Sequence, residues 1–175
     1  MIQETLEHKE FFIVIDINFI FSGNMDVLVT LKNLGYSLPA PPKSLASYVP
    51  AVRAGNLIFT SGQIPLKNGI LDHTGKVGIS VTLEKAGEAT ILCCLNALAA
   101  VATITPLESI QKIVRVGVFV ASSQDFHEQH LVANFASELL IQLFGEKGRH
   151  SRFAIGVPSL PLNSTVELEM VVEVE

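Results

Sequence analysis

The chain has 175 residues, of which 49% are apolar and 17% are charged, and its formal net charge is −5. This length fits one domain, or one domain with an extension, and the apolar excess is typical of a subunit that also buries surface against its own copies. The acidic balance and the lack of a Lys/Arg-rich run argue against tight non-specific nucleic-acid binding, which needs a basic surface.

The first segment differs in composition from the rest of the chain. Residues 1–24 are rich in aromatic and β-branched side chains, but the run Phe11–Phe21 is interrupted by polar residues and is shorter than the ~18 apolar residues of a membrane span. The residues before it are acidic, unlike those of a signal peptide. We interpret 1–24 as a dispensable extension or an upstream-start artefact, with an added edge strand over residues 11–21 as the alternative. The domain proper is predicted over residues 25–175.

The next segments predict a short helix and a β-hairpin. A helical pattern covers Asp26–Leu34, and Gly35 is a plausible C-cap. Two strands are predicted at Tyr48–Ala54 and Leu57–Ser61, joined by the tight-turn pair Gly55-Asn56.

Two long helices flank an apolar strand in the middle of the chain. Thr82 opens the first helix, which is apolar almost all round from Ala89 to Ala102 and should therefore be buried on several sides. The run Ile110–Val120 is continuously apolar, as expected of a strand covered by neighbours. An amphipathic helix is predicted over Phe126–Phe144, with Gly145 as its cap.

The last two strands carry the residues with the clearest chemistry. In Ser151–Val157 the bulky residues alternate with Arg152, Ala154 and Gly156, and in Thr165–Glu175 the apolar residues alternate with glutamates, including Glu167. If these strands pair, Arg152 and Glu167 leave the core face together. An arginine fork binds carboxylates, and a glutamate can position water or move protons. The alternative is an exposed ion pair on a solvated face.

The element order β-β-α-β-α-β-β predicts a two-layer α+β domain, in which two long helices cover one face of a mixed sheet. The uncovered face is expected to carry Arg152, Ala154, Gly156 and the glutamates. Small residues there would allow close approach of another subunit, so we expect a symmetric oligomer to cover this face.

The adjacent cysteines Cys93 and Cys94 cannot form a disulfide that links distant parts of the fold, and they lie in a helical pattern. We interpret them as small buried groups in a reducing cytoplasm.

Several other polar residues have weaker claims to function. His127 and His130, with Asp125 and Glu128, are too few for a confident metal site and fit solvated first-turn residues better. Neither a metal nor a cofactor is therefore predicted. Arg115 and Arg149 are alternative carboxylate binders, His150 could line a cleft, and His73 is expected in solvent.

An ordered set of motifs resembles the RidA/YjgF family of enamine/imine deaminases, over about residues 26–175. Each motif is weak alone, but their order is specific. They are Tyr48–Val52, Gly55–Leu57, Ser61–Pro65, Gly75–Gly78, Leu95–Leu98, Val132–Asn134 before Ala136-Ser137, Gly148–Arg152, Leu160-Pro161 and Val166–Glu169.

The resemblance implies a chorismate-mutase-like fold assembled as a homotrimer, with clefts between subunits. It implies hydrolysis of 2-imino or 2-enamino acids to 2-keto acids and ammonia. It places Arg152 as the carboxylate anchor and Glu167 as the partner of the attacking water. The remaining substrate-binding residues it implies are Tyr48, Ser61, Gly62 and Asn134.

One departure from the family pattern concerns catalysis. Classic members carry a cysteine two residues after the arginine, where this chain has Ala154. Thiol chemistry at position 154 is thereby excluded, although the deaminase mechanism does not use the family's cysteine as a nucleophile.

Two other functions are alternatives to deamination. One is a non-catalytic carboxylate-binding regulatory trimer. The other, which the acidic charge makes less favoured, is an endoribonuclease or translation inhibitor.

Overall fold

The computed structural model describes residues 26–41 and 47–175, so the predictions for residues 1–24 lie outside the described residues. The helices and strands in chain order are α1 Val27–Asn33, β1 Ala51–Ala54, β2 Leu57–Thr60, β3 Leu66–Lys67, β4 Ile70–Leu71, α2 Leu83–Ala102, β5 Ile110–Ala121, α3 Gln129–Phe144, β6 Ser151–Val157 and β7 Val166–Val174. The two long helices are α2 and α3, and the main strands are β1, β2, β5, β6 and β7.

A five-stranded mixed sheet with the order β1-β2-β7-β5-β6 forms one layer of the domain. Strands β5 and β6 are parallel, and the pairs β1–β2, β2–β7 and β5–β7 are antiparallel. Helices α2 and α3 pack together on one face, and Ile58, Val118 and Leu168 of the sheet are fully buried beneath them. The predicted α+β class and two-layer architecture are confirmed. The small hairpin β3–β4 turns at Asn68-Gly69, where both residues have positive φ.

Helix α2 is apolar on most sides because it packs against both the sheet and α3. Its predicted start is confirmed, since the Thr82 hydroxyl accepts a hydrogen bond from the backbone N–H of Lys85 at 3.3 Å. By length and mean hydropathy alone, α2 is long and apolar enough to cross a membrane. However, 72% of its most apolar window is buried inside the domain, and the core explains its composition.

Helix α3 begins at Gln129, three residues later than predicted. The preceding residues form a turn in which the N–H of Phe126 bonds to the Ser123 carbonyl. The side chain of Gln129 then donates to the Phe126 carbonyl at 2.6 Å. This carbonyl is therefore bonded to a side chain instead of a helical N–H.

The predicted pairing of the last two strands is wrong, because β5 lies between β6 and β7. Residue Arg152 is paired with Val116, whose side chain is fully buried in the core. Since paired residues of neighbouring strands point to the same face, Arg152, Ala154 and Gly156 face helix α3. Glu167 is paired with Phe119 and points to the opposite, helix-free face.

The face prediction failed because the helix-free face is also apolar. Phe153 lies over Gly117, makes an edge-to-face contact with Phe119 at 5.4 Å, and has the Arg115 guanidinium 5.9 Å from its ring centre. The small residues Ala154 and Gly156 instead let α3 approach β6, with Gln129 next to Gly156. Bulky side chains on β6 therefore mark the open face of the sheet and not the core.

The helix-free face leaves large apolar side chains in solvent. Val52, Phe59 and Ile155 are 50%, 39% and 45% exposed, and all three occupy strand positions that point away from the helices. Such a surface is typical of an interaction site.

Candidate functional site

Arg152 is held against α3 by three hydrogen bonds. Its Nη1 donates to Asn134 Oδ1 at 3.0 Å and to Ser137 Oγ at 2.9 Å, and its Nη2 donates to the His130 carbonyl at 3.3 Å. The acceptors are three or four residues apart along α3 and therefore lie on one side of the helix. Arg152 and Asn134, both predicted as substrate-binding residues, are thus brought together.

These contacts leave part of the guanidinium available. An arginine has five N–H groups, and the described residues provide acceptors for two on Nη1 and one on Nη2. The group on Nε and the second one on Nη2 have no acceptor among residues 26–41 and 47–175. Two N–H groups on adjacent nitrogens match the two oxygens of a carboxylate.

Ser137 also contacts His150, so that a second layer of polar residues lies behind Arg152. The Ser137 hydroxyl is 3.0 Å from His150 Nε2, and His150 Nδ1 is 2.6 Å from the Gly148 carbonyl. Burial lowers the pKa of His150, and the positive charges of Arg152 and Lys112 act in the same direction, against the opposing effect of the hydrogen bond to the Gly148 carbonyl. The sequence predicts that His150 could line a cleft, and it predicts no role for Ser137.

Glu167 forms a second half of the candidate site with the Ser61-Gly62 turn. Its carboxylate occupies the space that a side chain on Gly62 would need. The chain is fixed there by two backbone hydrogen bonds between Gln63 and Leu168, at 2.8 and 2.9 Å. Gly62 is therefore required for the close approach of the carboxylate and not for a special φ.

Burial raises the pKa of Glu167, and the negative charge of Glu169 raises it further. Among residues 26–41 and 47–175, no hydrogen bond to the carboxylate opposes this shift. A carboxylate in this environment accepts a proton more readily than one in water, which is the property a general base needs.

Tyr48 and Ser61 lie beside this second half. The Ser61 hydroxyl donates to the Val49 carbonyl at 2.7 Å, and the Ser61 N–H donates to the Pro50 carbonyl at 2.8 Å. These bonds attach the segment that carries Tyr48 to the Ser61-Gly62 turn. The Tyr48 side chain is 49% exposed and is free to contact a ligand.

Asn96 supports the turn from below. Its side-chain amide, buried in α2, donates to the carbonyls of Ile64 and Leu66, both at 3.0 Å. The loop that follows Gly62 is thereby tied to the core helix.

The two halves do not meet within one chain. Arg152 and Glu167 point to opposite faces of the sheet, on strands separated by β5. Two strand spacings already amount to about 10 Å. The expected convergence of these residues in a single ribbon is therefore wrong for one subunit.

The alternative candidates have partners of their own. Arg115 pairs with Glu169 at 2.9 Å, and Arg149 pairs with Glu146 at 2.8 Å. The prediction that His73 lies in solvent is wrong: its side chain is 14% exposed and lies 3.5 Å from both Asp72 and Glu88. Within the described ranges, no group of three or more His, Cys, Asp or Glu residues could hold a metal.

Both cysteines are free and buried in α2. Burial raises the pKa of Cys94 to about 12 and raises that of Cys93 strongly as well. Such thiols are unreactive, in agreement with the prediction of small buried groups.

Comparison with known proteins gives the family. A family profile described as "YjgF/chorismate_mutase-like, putative endoribonuclease" matches residues 29–174. Protein TCP17 of Trypanosoma cruzi is 38% identical over 149 residues, covering 84% of this chain and 93% of that protein. A protein of Dermatophagoides farinae named 2-iminobutanoate/2-iminopropanoate deaminase is 26% identical over 139 residues, covering 79% of this chain and 94% of that one.

A solved structure agrees in fold over most of the chain. The protein Atu1372 of Agrobacterium tumefaciens, described as of unknown function, is 42% identical with a TM-score of 0.80, covering 85% of this chain and 92% of that one. With the profile match over nearly the whole described domain, these similarities show that the chain belongs to the RidA/YjgF family.

Proposed function

We propose that the protein hydrolyses 2-imino and 2-enamino acids to 2-keto acids and ammonia, with Arg152 and Glu167 as its principal catalytic groups. The observation that carries the proposal is the state of Arg152. Three acceptors fix its guanidinium, while two N–H groups remain for a ligand. This arrangement suits a small carboxylate, which every 2-imino acid carries, and orients it before reaction.

Glu167 supplies the second chemical function. A water molecule adds to the carbon of the protonated C=N group while Glu167 accepts one of its protons, giving a carbinolamine. Glu167 returns this proton to nitrogen. The C–N bond then breaks and ammonia leaves, while Glu167 takes the proton of the hydroxyl group and the C=O bond of the keto acid forms. This last proton passes to the released ammonia. An enamine first takes a proton on carbon to become the imine. The raised pKa of Glu167 favours the proton transfer.

The site is completed in this proposal by a neighbouring copy in a homotrimer. Each chain presents Arg152 on one face of its sheet and Glu167 with Tyr48, Ser61 and Gly62 on the other. One copy then provides the carboxylate anchor and the next provides the base and Tyr48. The exposed apolar residues of the helix-free face, Phe59 and Ile155 among them, support burial against another subunit.

The direct test is release of ammonia and keto acid from an imine generated in situ by an amino-acid oxidase. The wild type should accelerate release above buffer, whereas Arg152→Ala should reduce kcat/KM at least about a hundredfold, the cost of losing a charge-assisted anchor. Arg149→Ala is the matched control, because Arg149 is exposed and paired with Glu146. Equal rates for wild type, Arg152→Ala and buffer would refute the proposal.

The alternatives give different results in the same experiments. A non-catalytic regulatory trimer would bind 2-keto acids through Arg152, seen as a thermal shift, without turnover. An endoribonuclease would cleave RNA independently of Arg152. The net charge of −5 and the glutamates on β7 disfavour an RNA-binding face.

The proposed chemistry uses acid–base groups and water, and it needs no cofactor. We propose a cytoplasmic location as well, which the two free buried thiols support.

Residues 25–175 are proposed as the catalytic domain. Truncation before Met25 should then leave kcat/KM unchanged.

A further inference from the structure

We infer that Ser137 and His150 are positioning residues that orient Arg152 through a directed chain of hydrogen bonds. The inference rests on the proposed function in so far as Arg152 binds a carboxylate. It assigns a role to two residues that do not touch the substrate themselves. The chain runs from Arg152 through Ser137 and His150 to the Gly148 carbonyl.

The backbone carbonyl at one end fixes the direction of the whole chain. The Gly148 carbonyl can only accept, so His150 Nδ1, 2.6 Å away, carries a proton and donates it. In a neutral imidazole Nε2 is then an acceptor. The Ser137 hydroxyl, 3.0 Å from Nε2, must therefore donate to His150.

This direction sets the role of the Ser137 oxygen. Once its proton points to His150, the oxygen presents its lone pairs to Arg152 Nη1 at 2.9 Å. The competing acceptor for the hydroxyl proton is the Ala133 carbonyl, at a longer 3.4 Å. By accepting the hydroxyl proton, His150 thus keeps the Ser137 oxygen oriented as an acceptor for Arg152.

The surroundings keep His150 in the required neutral state. The ring is partly buried, and the charged groups that act on it, Arg152 and Lys112, are both positive. Protonation would place a third positive charge among them. The hydrogen bond to the Gly148 carbonyl acts in the opposite direction, but burial outweighs it and lowers the pKa of His150, which favours the neutral form.

Two substitutions of His150 separate positioning from packing. Glutamine can place an amide oxygen near the position of Nε2, and therefore can accept from Ser137. Asparagine is shorter, and its amide can replace only the Nδ1 donor. We expect Ser137→Ala and His150→Asn to weaken binding of 2-ketobutyrate, measured by calorimetry, about tenfold. His150→Gln should stay within about threefold of wild type, and His127→Asn, at an exposed histidine, serves as the matched control.

A second readout does not depend on the ligand. Nitrogen NMR of the arginine side chains reports rotation of the Arg152 guanidinium. Its Nη signals should be resolved in the wild type and in His150→Gln, and averaged in Ser137→Ala and His150→Asn. Thermal unfolding of each variant confirms that it is folded.

The outcomes separate the two proposals. If the wild type binds no 2-keto acid but the NMR pattern holds, the proposed function fails and the positioning role stands. Equal binding and equal NMR signals in His150→Gln and His150→Asn would overturn the positioning role. In that case ligand binding by the wild type would still support the proposed function.

Discussion

The carboxylate of Glu167 lies directly against Gly62, in the space that a methyl group on that residue would fill. The contact joins a strand near the end of the chain to a turn in its first half. A side chain at position 62 would therefore force the Glu167 carboxylate out of its present position.

Gly62→Ala should therefore reduce turnover without unfolding the protein. The backbone at Gly62 does not have positive φ, so alanine is allowed there, and the flexible Glu167 side chain can move aside. Displacing a catalytic group by about 1 Å can cost on the order of a hundredfold in rate. We expect kcat to fall by this order with a melting temperature within about 2 °C of wild type. Unchanged kcat would show that Glu167 is not placed by Gly62.

Glu167→Gln should remove activity and yet stabilise the protein at neutral pH. The pKa of Glu167 is raised in the folded state, so the folded protein prefers the protonated form. The protonated Glu167 side chain therefore contributes to the stability of the fold. This contribution is fully present below the pKa of about 4.3 in the unfolded chain, and it is lost as the pH rises through the higher pKa in the folded protein. The variant should melt higher than wild type at pH 7.5 and equally at pH 3.5.

The measurement is thermal unfolding over that pH range. Glu173→Gln is the control, because Glu173 accepts a hydrogen bond from Asn56 at 2.9 Å and lies on the same strand. This control should not gain stability at pH 7.5. A melting difference between Glu167→Gln and wild type that is the same at both pH values would contradict the burial argument.

Two inactive variants should restore each other's activity if the site is shared between subunits. In a cyclic trimer, any mixture of Arg152→Ala and Glu167→Gln subunits contains one site with both native residues. Co-expression in equal amounts then gives roughly one quarter of wild-type activity. Each variant alone should be inactive. No recovery in mixed oligomers would mean that the two residues do not act at a common interface.

Asn96→Ala should destabilise the protein and loosen the turn at Gly62. The substitution removes the donor for the Ile64 and Leu66 carbonyls in a buried setting. We expect a loss of about 2–4 kcal/mol in the free energy of unfolding, measured with urea. Asn33→Ala, at an exposed position in α1, should change it by less than about 0.5 kcal/mol.

The fold could be predicted from local signals in the sequence. Gly55-Asn56 indicated the β1–β2 hairpin, Thr82 the start of α2 and Gly145 the end of α3, and each is observed. These signals are short-range: a turn with positive φ, a capping hydroxyl, and a residue that ends a helix. The start of α3 was missed because a glutamine side chain bonds to a carbonyl ahead of the helix.

The arrangement of the site could not be predicted in the same way. Alternation in β6 separates Arg152 from Phe153 correctly, but it does not say which side the helices cover. One face of β6 carries bulky apolar residues and the other carries small residues beside Arg152. The pairing of Arg152 with the buried Val116 shows which of the two faces the helices cover. Ser137 was missed because a serine within a helix has no pattern that marks it as a hydrogen-bond acceptor for a distant arginine.

The parallel pairing of β6 with β5 has a consequence for how the two halves of the site form during folding. Asn134, Ser137 and Arg152 belong to one continuous strand–helix–strand unit, and Asn134 is only 18 residues from Arg152. The contact of Glu167 with Gly62 instead waits for β7 to insert between β2 and β5. Short-range contacts form early and cost little loop entropy. The arginine half should therefore be in place before the sheet closes.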